Sequence, residues 1–132
     1  MSGYDFSTDP VDVPKVNTSN RIINTAIPSP GTNQMIKQLE QVESRSMQGQ
    51  MPIIWDKAHD FNVYDKHGNK WIDFTSTIFV SNVGHSNSNV CNAVKNILDK
   101  PLIHSYAYVN EERIKYHKKL VEFAGSPFEK AF

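Results

Sequence analysis

Apolar positions recur at helical spacing in the first third of the chain. They are Met35, Ile36, Leu39 and Val42. This run follows Gly31-Thr32-Asn33, where a Thr or Asn side chain can accept a hydrogen bond from a free amide of the first helical turn. Lysine and glutamate occupy the other faces. The pattern predicts a helix that begins near residue 31 and fades near Gly49.

The middle of the chain has the short apolar segments and turn residues that are typical of strands. Residues 52–55 predict a first strand with Pro52 at its edge, and residues 61–65 and 71–74 predict a second and a third. His67-Gly68-Asn69 lies between the last two and supplies residues that tolerate positive φ in a turn. We therefore expect a small antiparallel β-meander.

Two further amphipathic helices are predicted after the meander. The first ends at Lys100-Pro101, because proline excludes the preceding residue from the helical region, and its apolar face consists of Val90, Val94, Ile97 and Leu98. An aromatic link over residues 102–109 leads to the second helix, which Asn110 can cap and Gly125 ends. Residues 128–132 predict the start of a strand. Together these elements predict an α+β segment.

Residues 1–30 differ from the rest of the chain. Prolines at positions 10, 14, 28 and 30 interrupt a polar stretch and prevent a regular helix, which suits a disordered tail. The segment is nevertheless more apolar than a solvated tail needs, with Tyr4, Phe6, Ile22, Ile23 and Ile27. The alternative is an extended N-terminal arm that lies on another surface, such as a second subunit. Residues 31–51 then form a helix and linker, and residues 52–132 form the N-terminal part of a small domain that leads into a larger one.

Composition and charge narrow the classes of protein. Among 132 residues, 14 are basic and 14 acidic, and both signs are dispersed, which argues against a nucleic-acid binder with a basic stripe. No apolar run is long enough for a membrane span, and the N-terminus lacks the features of a secretory signal. A single cysteine, Cys91, excludes an internal disulfide. We expect a cytoplasmic protein that binds neither nucleic acid nor membrane.

No sequence pattern indicates a metal site or an activated nucleophile. The histidines lack the three- or four-residue spacing that joint ligation from a helix needs. Cys91 is predicted to be a buried structural thiol, because it lies beside Val90 in an amphipathic helix. Ser76 and Ser81 near His85 can be drawn as a dyad, but no acid at a defined spacing completes it. The glycines are spread singly, so no phosphate-binding loop is present.

The most informative stretch is WIDFTSTIFVSNVGH, residues 71–85. An aromatic strand leads into a Ser/Thr-rich turn, an apolar run follows, and the stretch closes on Gly-His. Two of its side chains and two from the aromatic link have the apolar and aromatic character of a substrate-pocket lining: Ile78, Phe79, Tyr106 and Tyr108. Ordinary core residues have the same character, so the residues alone leave both interpretations open.

From Pro52 to Phe132 the chain resembles the N-terminal part of class III pyridoxal-phosphate aminotransferases, the group that includes 4-aminobutyrate, ornithine and omega-amino-acid transaminases. The resemblance rests on four segments in order, IIWDKAHDFNVYDKHGNKWIDF, TSTIFVSNVGH, VCNAVKNILDK and PLIHSYAYVNEE. Two departures stand out. Thr77 occupies a position where the family usually has glycine, and Asn87-Ser88 one where it often has His-Pro.

The resemblance implies a homodimeric enzyme of the α/β fold type I that is longer than this chain. Such an enzyme uses pyridoxal 5'-phosphate to transfer an amino group between an amine or omega-amino acid and a 2-oxo acid. Its phosphate-binding turn would follow Phe132, and its Schiff-base lysine would come later still. None of the eleven lysines here matches that lysine's motif. The resemblance therefore implies no catalytic, cofactor-binding or metal residue in this chain, and no activity for the chain alone.

The same resemblance implies roles for particular residues. Ile78 and Phe79 would line the substrate pocket, and Tyr106 to Tyr108 would approach the active site of the partner subunit. The region before Pro52 would pack on the dimer. Two alternatives stay open, a decarboxylase or mutase on the same scaffold and a stand-alone, non-catalytic interaction module. A metal-dependent enzyme is a third alternative and would require bound zinc or iron.

Overall fold

The computed structural model describes residues 6–100, 102 and 104–132. The chain divides into two compact units, Met1–Ser88 and Asn89–Phe132. The first unit contains a β-sheet, and helices form the regular structure of the second. No helix in the described part of the chain is long and apolar enough to cross a membrane. The combination of an antiparallel sheet with helices agrees with the predicted α+β segment.

The sheet of the first unit has five short strands. They are β1 (Val16–Asn17), β2 (Ile22–Ile23), β3 (Lys57–His59), β4 (Asn62–Tyr64) and β5 (Lys70–Ile72). Their spatial order is β1-β2-β5-β4-β3, and every neighbouring pair is antiparallel. The predicted meander is present as β3-β4-β5. The sheet is larger than predicted because two strands come from the N-terminal segment.

The first strand of the meander lies further along the chain than predicted. Residues 52–55, all of which the structure describes, form no strand, and β3 begins at Lys57. Lys57 pairs with Tyr64, the last residue of β4. The amide of Asp56 still donates to the Tyr64 carbonyl at 2.8 Å. Residues 52–55 lie beyond this last bond, and Pro52 has no N–H to offer a partner.

The apolar core of this unit is small. In the described part of the chain, the buried apolar side chains are those of Ile23 of β2, Val63 of β4 and Pro28. Val63 lies between Ala58 of β3 and Trp71 of β5 in the register. Because side chains alternate between the faces of a sheet, these three cross-strand neighbours share one face. So little apolar burial means that polar contacts must contribute to the stability of the sheet.

A buried polar network joins the N-terminal segment to the turn between β4 and β5. The Asn69 side chain is fully buried, and its Oδ1 accepts from the amides of Asn24 at 2.7 Å and Thr25 at 3.3 Å. Its Nδ2 donates to Thr25 Oγ1 at 2.8 Å and to Asp65 Oδ2 at 2.6 Å. Asp65 Oδ1 accepts from the amides of His67 and Asn69, both at 2.9 Å. The side-chain amide of Asn69 is therefore satisfied, as a buried polar group must be.

The described part of the predicted arm is extended and pairs with its own chain. Val11 and Ile27 exchange backbone hydrogen bonds of 2.8 and 3.0 Å, and β1 pairs with β2. Ile22 of β2 then pairs with Lys70 of β5. Of the apolar residues that set this segment apart from a solvated tail, Ile22 and Ile23 form β2 and Ile27 pairs with Val11. Tyr4 lies outside the described residues. Packing of the arm on a second subunit stays a prediction.

The first helix, α1 (Thr32–Glu40), begins where predicted but is shorter and is capped differently. Its N-cap residue is Gly31, with φ 82°, and no side chain caps the helix. The Thr32 hydroxyl instead lies 3.3 Å from the hydroxyl of Ser29. After Glu40 the backbone tightens into a turn, followed by a 3₁₀ turn at Arg45–Met47. The predicted continuation toward Gly49 is therefore wrong.

The later helices agree with the predicted pattern. They are α3 (Ser88–Leu98) and α4 (Glu111–Ala124), after the one-turn segment α2 (Ser76–Phe79). Asn110 caps α4 as predicted, because its Oδ1 accepts from the Arg113 amide at 2.8 Å. Gly125, with φ 68°, ends the helix. Pro101, the predicted stop signal of α3, lies outside the described residues.

The predicted C-terminal strand does not form. Residues 128–132 have no regular secondary structure, and no described residue pairs with them in a β-ladder. A strand exists only through its hydrogen bonds to a neighbouring strand, so an apolar segment without a partner stays irregular. The prediction for this segment is therefore wrong for the chain as described.

Candidate functional site

A cleft opens where the chain leaves β5 and returns to the sheet before α3. It has a volume of about 400 Å³ and is lined by Asp60, Phe61, Asp73, Ser76, Ser81, Asn82, Val83, Gly84 and His85. Seven of these residues belong to the stretch 71–85 that the sequence singles out. The remaining two come from the β3–β4 connection.

The backbone of α2 is left-handed. Ser76, Thr77, Ile78 and Phe79 have φ values of 46, 53, 56 and 76°. The turn is closed by backbone hydrogen bonds, among them Ile78 N to Thr75 O at 2.9 Å and Val80 N to Ser76 O at 2.8 Å. This conformation costs an L-residue about 1–2 kcal/mol, and more is expected for β-branched side chains. Thr77 thus occupies a conformation that suits the glycine usual at this position in the family that the chain resembles.

Asp73 anchors the start of this turn. Its Oδ1 accepts from the amide of Thr75 at 2.8 Å and from the Thr75 hydroxyl at 2.7 Å, and its Oδ2 lies 2.8 Å from His85 Nε2. The side chain is only 3% exposed. Burial alone raises the pKa of Asp73, but the hydrogen bonds from His85 and Thr75 outweigh that effect and lower the pKa to about 2. The carboxylate is therefore ionised and fully engaged at neutral pH.

His85 connects the end of the stretch to the sheet. Its backbone exchanges hydrogen bonds of 2.7 and 2.9 Å with Asp60, which forms an isolated antiparallel bridge. The edge of its ring meets Trp55, with ring centroids 5.8 Å apart and an interplanar angle of 86°. A Cβ on the neighbouring Gly84 would lie 3.2 Å from the Asp60 Cα, so this close approach favours glycine. The position of the imidazole is thus fixed by both backbone and packing.

In the structure an acid, Asp73, lies beside the Ser81–His85 dyad that the sequence suggests, but the three groups do not form a catalytic triad. Ser81 Oγ lies 3.5 Å from His85 Nε2, the same ring nitrogen that contacts Asp73. In a Ser-His-Asp triad the hydroxyl and the carboxylate contact opposite nitrogens of the imidazole. One ring nitrogen accepts the proton of the hydroxyl, and the N–H of the other is held by the carboxylate. Here both groups compete for one nitrogen. The arrangement is a structural clamp rather than a proton relay.

The pairing of Asp73 with His85 was not predicted from the sequence. Twelve residues separate the two side chains, and backbone contacts of both residues with the β3–β4 connection bring them together. One local signal was available. Asp73 precedes Thr75 by two residues, a spacing at which an aspartate commonly accepts from a downstream amide.

The four predicted pocket residues are exposed in this structure. Ile78 and Phe79 are adjacent on α2 and are 79% and 75% exposed. Tyr106 and Tyr108 lie on the link before α4 and are 95% and 80% exposed. The first pair belongs to the first compact unit and the second pair to the second unit. None of the four is a core residue of the described chain, and their roles in substrate binding stay predictions.

The other candidate chemistries receive no support from geometry. Cys91 is exposed, so the predicted buried thiol is wrong, because α3 buries none of its residues in this chain. In the described ranges, no group of three or more His, Cys, Asp or Glu side chains is arranged to hold a metal ion. The lining of the cleft includes no lysine.

Comparison with known proteins identifies the family. A profile described as "Aminotransferase class-III" matches residues 44–132, which is more than half of the chain. The chain therefore belongs to the class-III aminotransferase family. The matched region includes the cleft, the left-handed turn and both late helices.

Individual relatives agree with this assignment. The chain is 34% identical to acetylornithine aminotransferase of Methanocaldococcus jannaschii over 87 residues, covering 66% of this chain and 22% of that protein. It is 31% identical to ornithine aminotransferase of Brevibacillus brevis over 94 residues, covering 71% of this chain and 23% of that protein. Among solved structures, acetylornithine aminotransferase from Elizabethkingia anophelis superposes with a TM-score of 0.67 and 25% identity, over 75% of this chain and 25% of that one. The chain spans about a quarter of the length of these proteins.

The family is generally dependent on pyridoxal phosphate, and the described residues do not form a site for that cofactor. The cleft offers no lysine for covalent attachment. The glycines with positive φ are scattered at positions 31, 49, 68, 84 and 125, rather than grouped before a helix where they could cradle a phosphate. No chemical step through the cofactor is therefore assigned to this chain.

Proposed function

We propose that this chain is the N-terminal portion of a pyridoxal-phosphate-dependent aminotransferase that transfers an amino group between an amine or omega-amino acid and a 2-oxo acid. The observation that carries the proposal is the family match over residues 44–132, which contains the whole cleft region. The names of the relatives, acetylornithine and ornithine aminotransferase, support an amino-acid donor. No observation favours a decarboxylase, a mutase or an interaction module instead.

In this proposal the left-handed turn is a wall of the substrate pocket. Ile78 and Phe79 are large apolar neighbours whose side chains are mostly exposed. The same turn contributes Ser76 to the cleft lining, and apolar side chains near hydroxyl groups are the usual composition of a small-molecule site. Ile78 and Phe79 contact the hydrocarbon part of the amino donor. Tyr106 and Tyr108 approach the active site of a partner subunit.

The proposal also includes the larger assembly. The whole enzyme is a cytoplasmic homodimer of fold type I with a large α/β domain, and the region before Pro52 packs on the dimer. The domains are an extended arm at residues 1–30, a helix and linker at 31–51, and the N-terminal part of the small domain at 52–132. The chain spans 22–25% of the relatives and the structural neighbour, so most of the proposed enzyme lies in the remaining length.

The chemistry explains why the chain alone is inactive in this proposal. Transamination needs a lysine that holds the cofactor and moves a proton, and a cofactor that takes up electrons from the substrate. The wall residues supply contact and orientation only. We therefore expect that substrate specificity depends on this chain, while the reaction depends on the rest of the enzyme.

Two proteins test the proposal. The first is the 132-residue chain, mixed with pyridoxal phosphate, ornithine and a 2-oxo acid. We expect its turnover to be no higher than that of the same mixture without protein. The second is a chimera in which residues 44–132 replace the matching segment of the Elizabethkingia anophelis enzyme; we expect it to transaminate. Turnover by the chain alone contradicts the proposal, as does a folded chimera that binds the cofactor but lacks activity.

The same chimera tests the wall residues. Ile78→Ala and Phe79→Ala remove apolar contact with the substrate, so we expect KM to rise about tenfold for each. The matched control is His59→Ala, because its side chain is 69% exposed and lies on β3 rather than on the turn. Equal KM values for all three variants contradict a wall formed by Ile78 and Phe79.

A further inference from the structure

Side-chain burial does not hold the left-handed turn in place. Thr77, Ile78 and Phe79 are exposed, so no burial of their side chains in the described chain offsets the cost of positive φ. Strained backbone persists only where the surrounding structure determines it. Besides the backbone hydrogen bonds within the turn, the restraint must therefore act at its ends.

Both ends of the turn are tied to the same pair of side chains. Thr75, which precedes it, is held by two hydrogen bonds to Asp73 at 2.7 and 2.8 Å. Ser81, which follows it, lies 3.5 Å from His85 Nε2 and 3.3 Å from the Thr77 hydroxyl. The bond of 2.8 Å between Asp73 and His85 joins the two ends.

The pair is in turn fixed to the sheet. The Asp73 amide donates to the Phe61 carbonyl at 2.8 Å, and the His85 backbone is bridged to Asp60. A continuous set of hydrogen bonds thus runs from the β3–β4 connection through the part-buried Asp73–His85 pair to both ends of α2. We propose that Asp73 and His85 are positioning residues that hold residues 76–79 left-handed and so present Ile78 and Phe79 side by side to the substrate.

This inference deepens the proposed function, since it concerns the same pocket wall. It assigns to Asp73 and His85 an indirect role, which is to hold the wall residues Ile78 and Phe79 in position. A simpler role is possible for the same bonds, namely general stabilisation of the sheet. The two roles differ in one observable, the conformation of residues 76–79 in a variant whose sheet is still folded.

The experiment compares Asp73→Ala and His85→Phe with the unmodified chain and with His59→Phe. The His59 side chain contacts the Asp60 side chain at 3.1 Å on the exposed surface, so its variant removes a histidine–aspartate side-chain pair and leaves the Asp60–His85 backbone bridge in place. Amide hydrogen exchange by mass spectrometry follows the turn amides 78–81 and the strand amides 57–64 separately. Intraresidue amide-to-Hα nuclear Overhauser effects, which are strong only at positive φ, report the conformation of residues 76–79.

We expect the turn amides to exchange at least tenfold faster in Asp73→Ala and His85→Phe, with the strands unchanged, and the strong intraresidue signals to be lost. His59→Phe should match the unmodified chain. Thr77→Gly combined with His85→Phe should partly restore the signals of residues 78 and 79, because glycine accepts positive φ without the steric cost.

Two results overturn the inference. Exchange that rises equally in turn and strands shows that the pair stabilises the whole sheet, and unchanged signals at residues 76–79 show that the turn does not need the pair. Neither result depends on cofactor or turnover. The inference can therefore fail while the proposed aminotransferase function stands, and the reverse also holds.

Discussion

At the scale of single residues, the most constrained side chain of the site is Asp73. It is almost fully buried, yet three donor groups on Thr75 and His85 surround its oxygens. Such donors stabilise the charged form of the carboxylate and so lower its pKa to about 2, despite the opposing effect of burial. A lowered pKa in the folded state links the stability of the chain to pH.

The sign of this linkage is definite. Because the folded-state pKa is about 2 and the reference value is 3.8, ionised Asp73 stabilises the folded chain above the reference pKa. The contribution is about 2 kcal/mol and is lost as the pH falls toward 2. We expect the difference in unfolding free energy between the unmodified chain and Asp73→Asn to shrink by that amount between pH 6 and pH 2, as measured by urea unfolding.

The control for this prediction is Asp60→Asn, which removes a carboxylate that is 64% exposed. Solvent screens an exposed carboxylate, so we expect this variant to keep a pH dependence close to that of the unmodified chain. If the difference in unfolding free energy between the unmodified chain and Asp73→Asn stays constant over this pH range, the hydrogen bonds from Thr75 and His85 do not favour the charged carboxylate.

Sequence reasoning succeeded for residues whose role is local and failed for those whose role depends on the fold. Asn110 was identified as a helix cap because the cap and its partner amide are three residues apart. The bond between Asp73 and His85 was missed because the separation along the chain carries no signal. Cys91 was expected to be buried because its helix is amphipathic, but an amphipathic helix is buried only where something packs against it.

At the scale of elements, the hairpin between β4 and β5 was predictable and the elements around it were not. Its turn is built from residues that accept a positive φ, and Gly68 has φ 79°. The register of β3, in contrast, depends on where β4 ends. The two N-terminal strands form because β5 offers a free edge, and Asn69 links that edge to residues 24 and 25.

This link gives a prediction for Asn69. Replacing it with alanine leaves the amide of Asn24, the Thr25 hydroxyl and Asp65 without their buried partner, so we expect the free energy of unfolding to fall by about 2–4 kcal/mol. Asn17→Ala is the matched control. Asn17 is exposed on β1, and its replacement should change stability by less than about 0.5 kcal/mol.

Urea unfolding measures both variants, and amide exchange adds a spatial test of the network. In Asn69→Ala, we expect the amides of β1 and β2 to exchange faster than those of β3. If both variants have the stability of the unmodified chain, the polar network does not hold the N-terminal strands.

At the scale of the whole molecule, the chain leaves much apolar surface uncovered. Neither α3 nor α4 has a buried residue, and the predicted apolar stripe of α3 is about half exposed at Val90, Val94 and Leu98. Apolar patches of this kind usually mark surfaces that another part of a protein covers. The sequence predicted the stripe correctly through its periodicity. Periodicity does not show what packs against the stripe, and in the described chain the stripe stays exposed.

We therefore expect the purified chain to self-associate, with light scattering that rises with concentration and on heating. Val94→Glu places a charge in the middle of the α3 stripe and should delay the rise. Asn92→Glu is the matched control, since it adds the same charge to the same helix at an exposed polar position. Because only the first variant removes apolar surface, only the first should improve solubility. A monodisperse chain that unfolds cooperatively, with both variants indistinguishable from it, would instead favour a stand-alone interaction module.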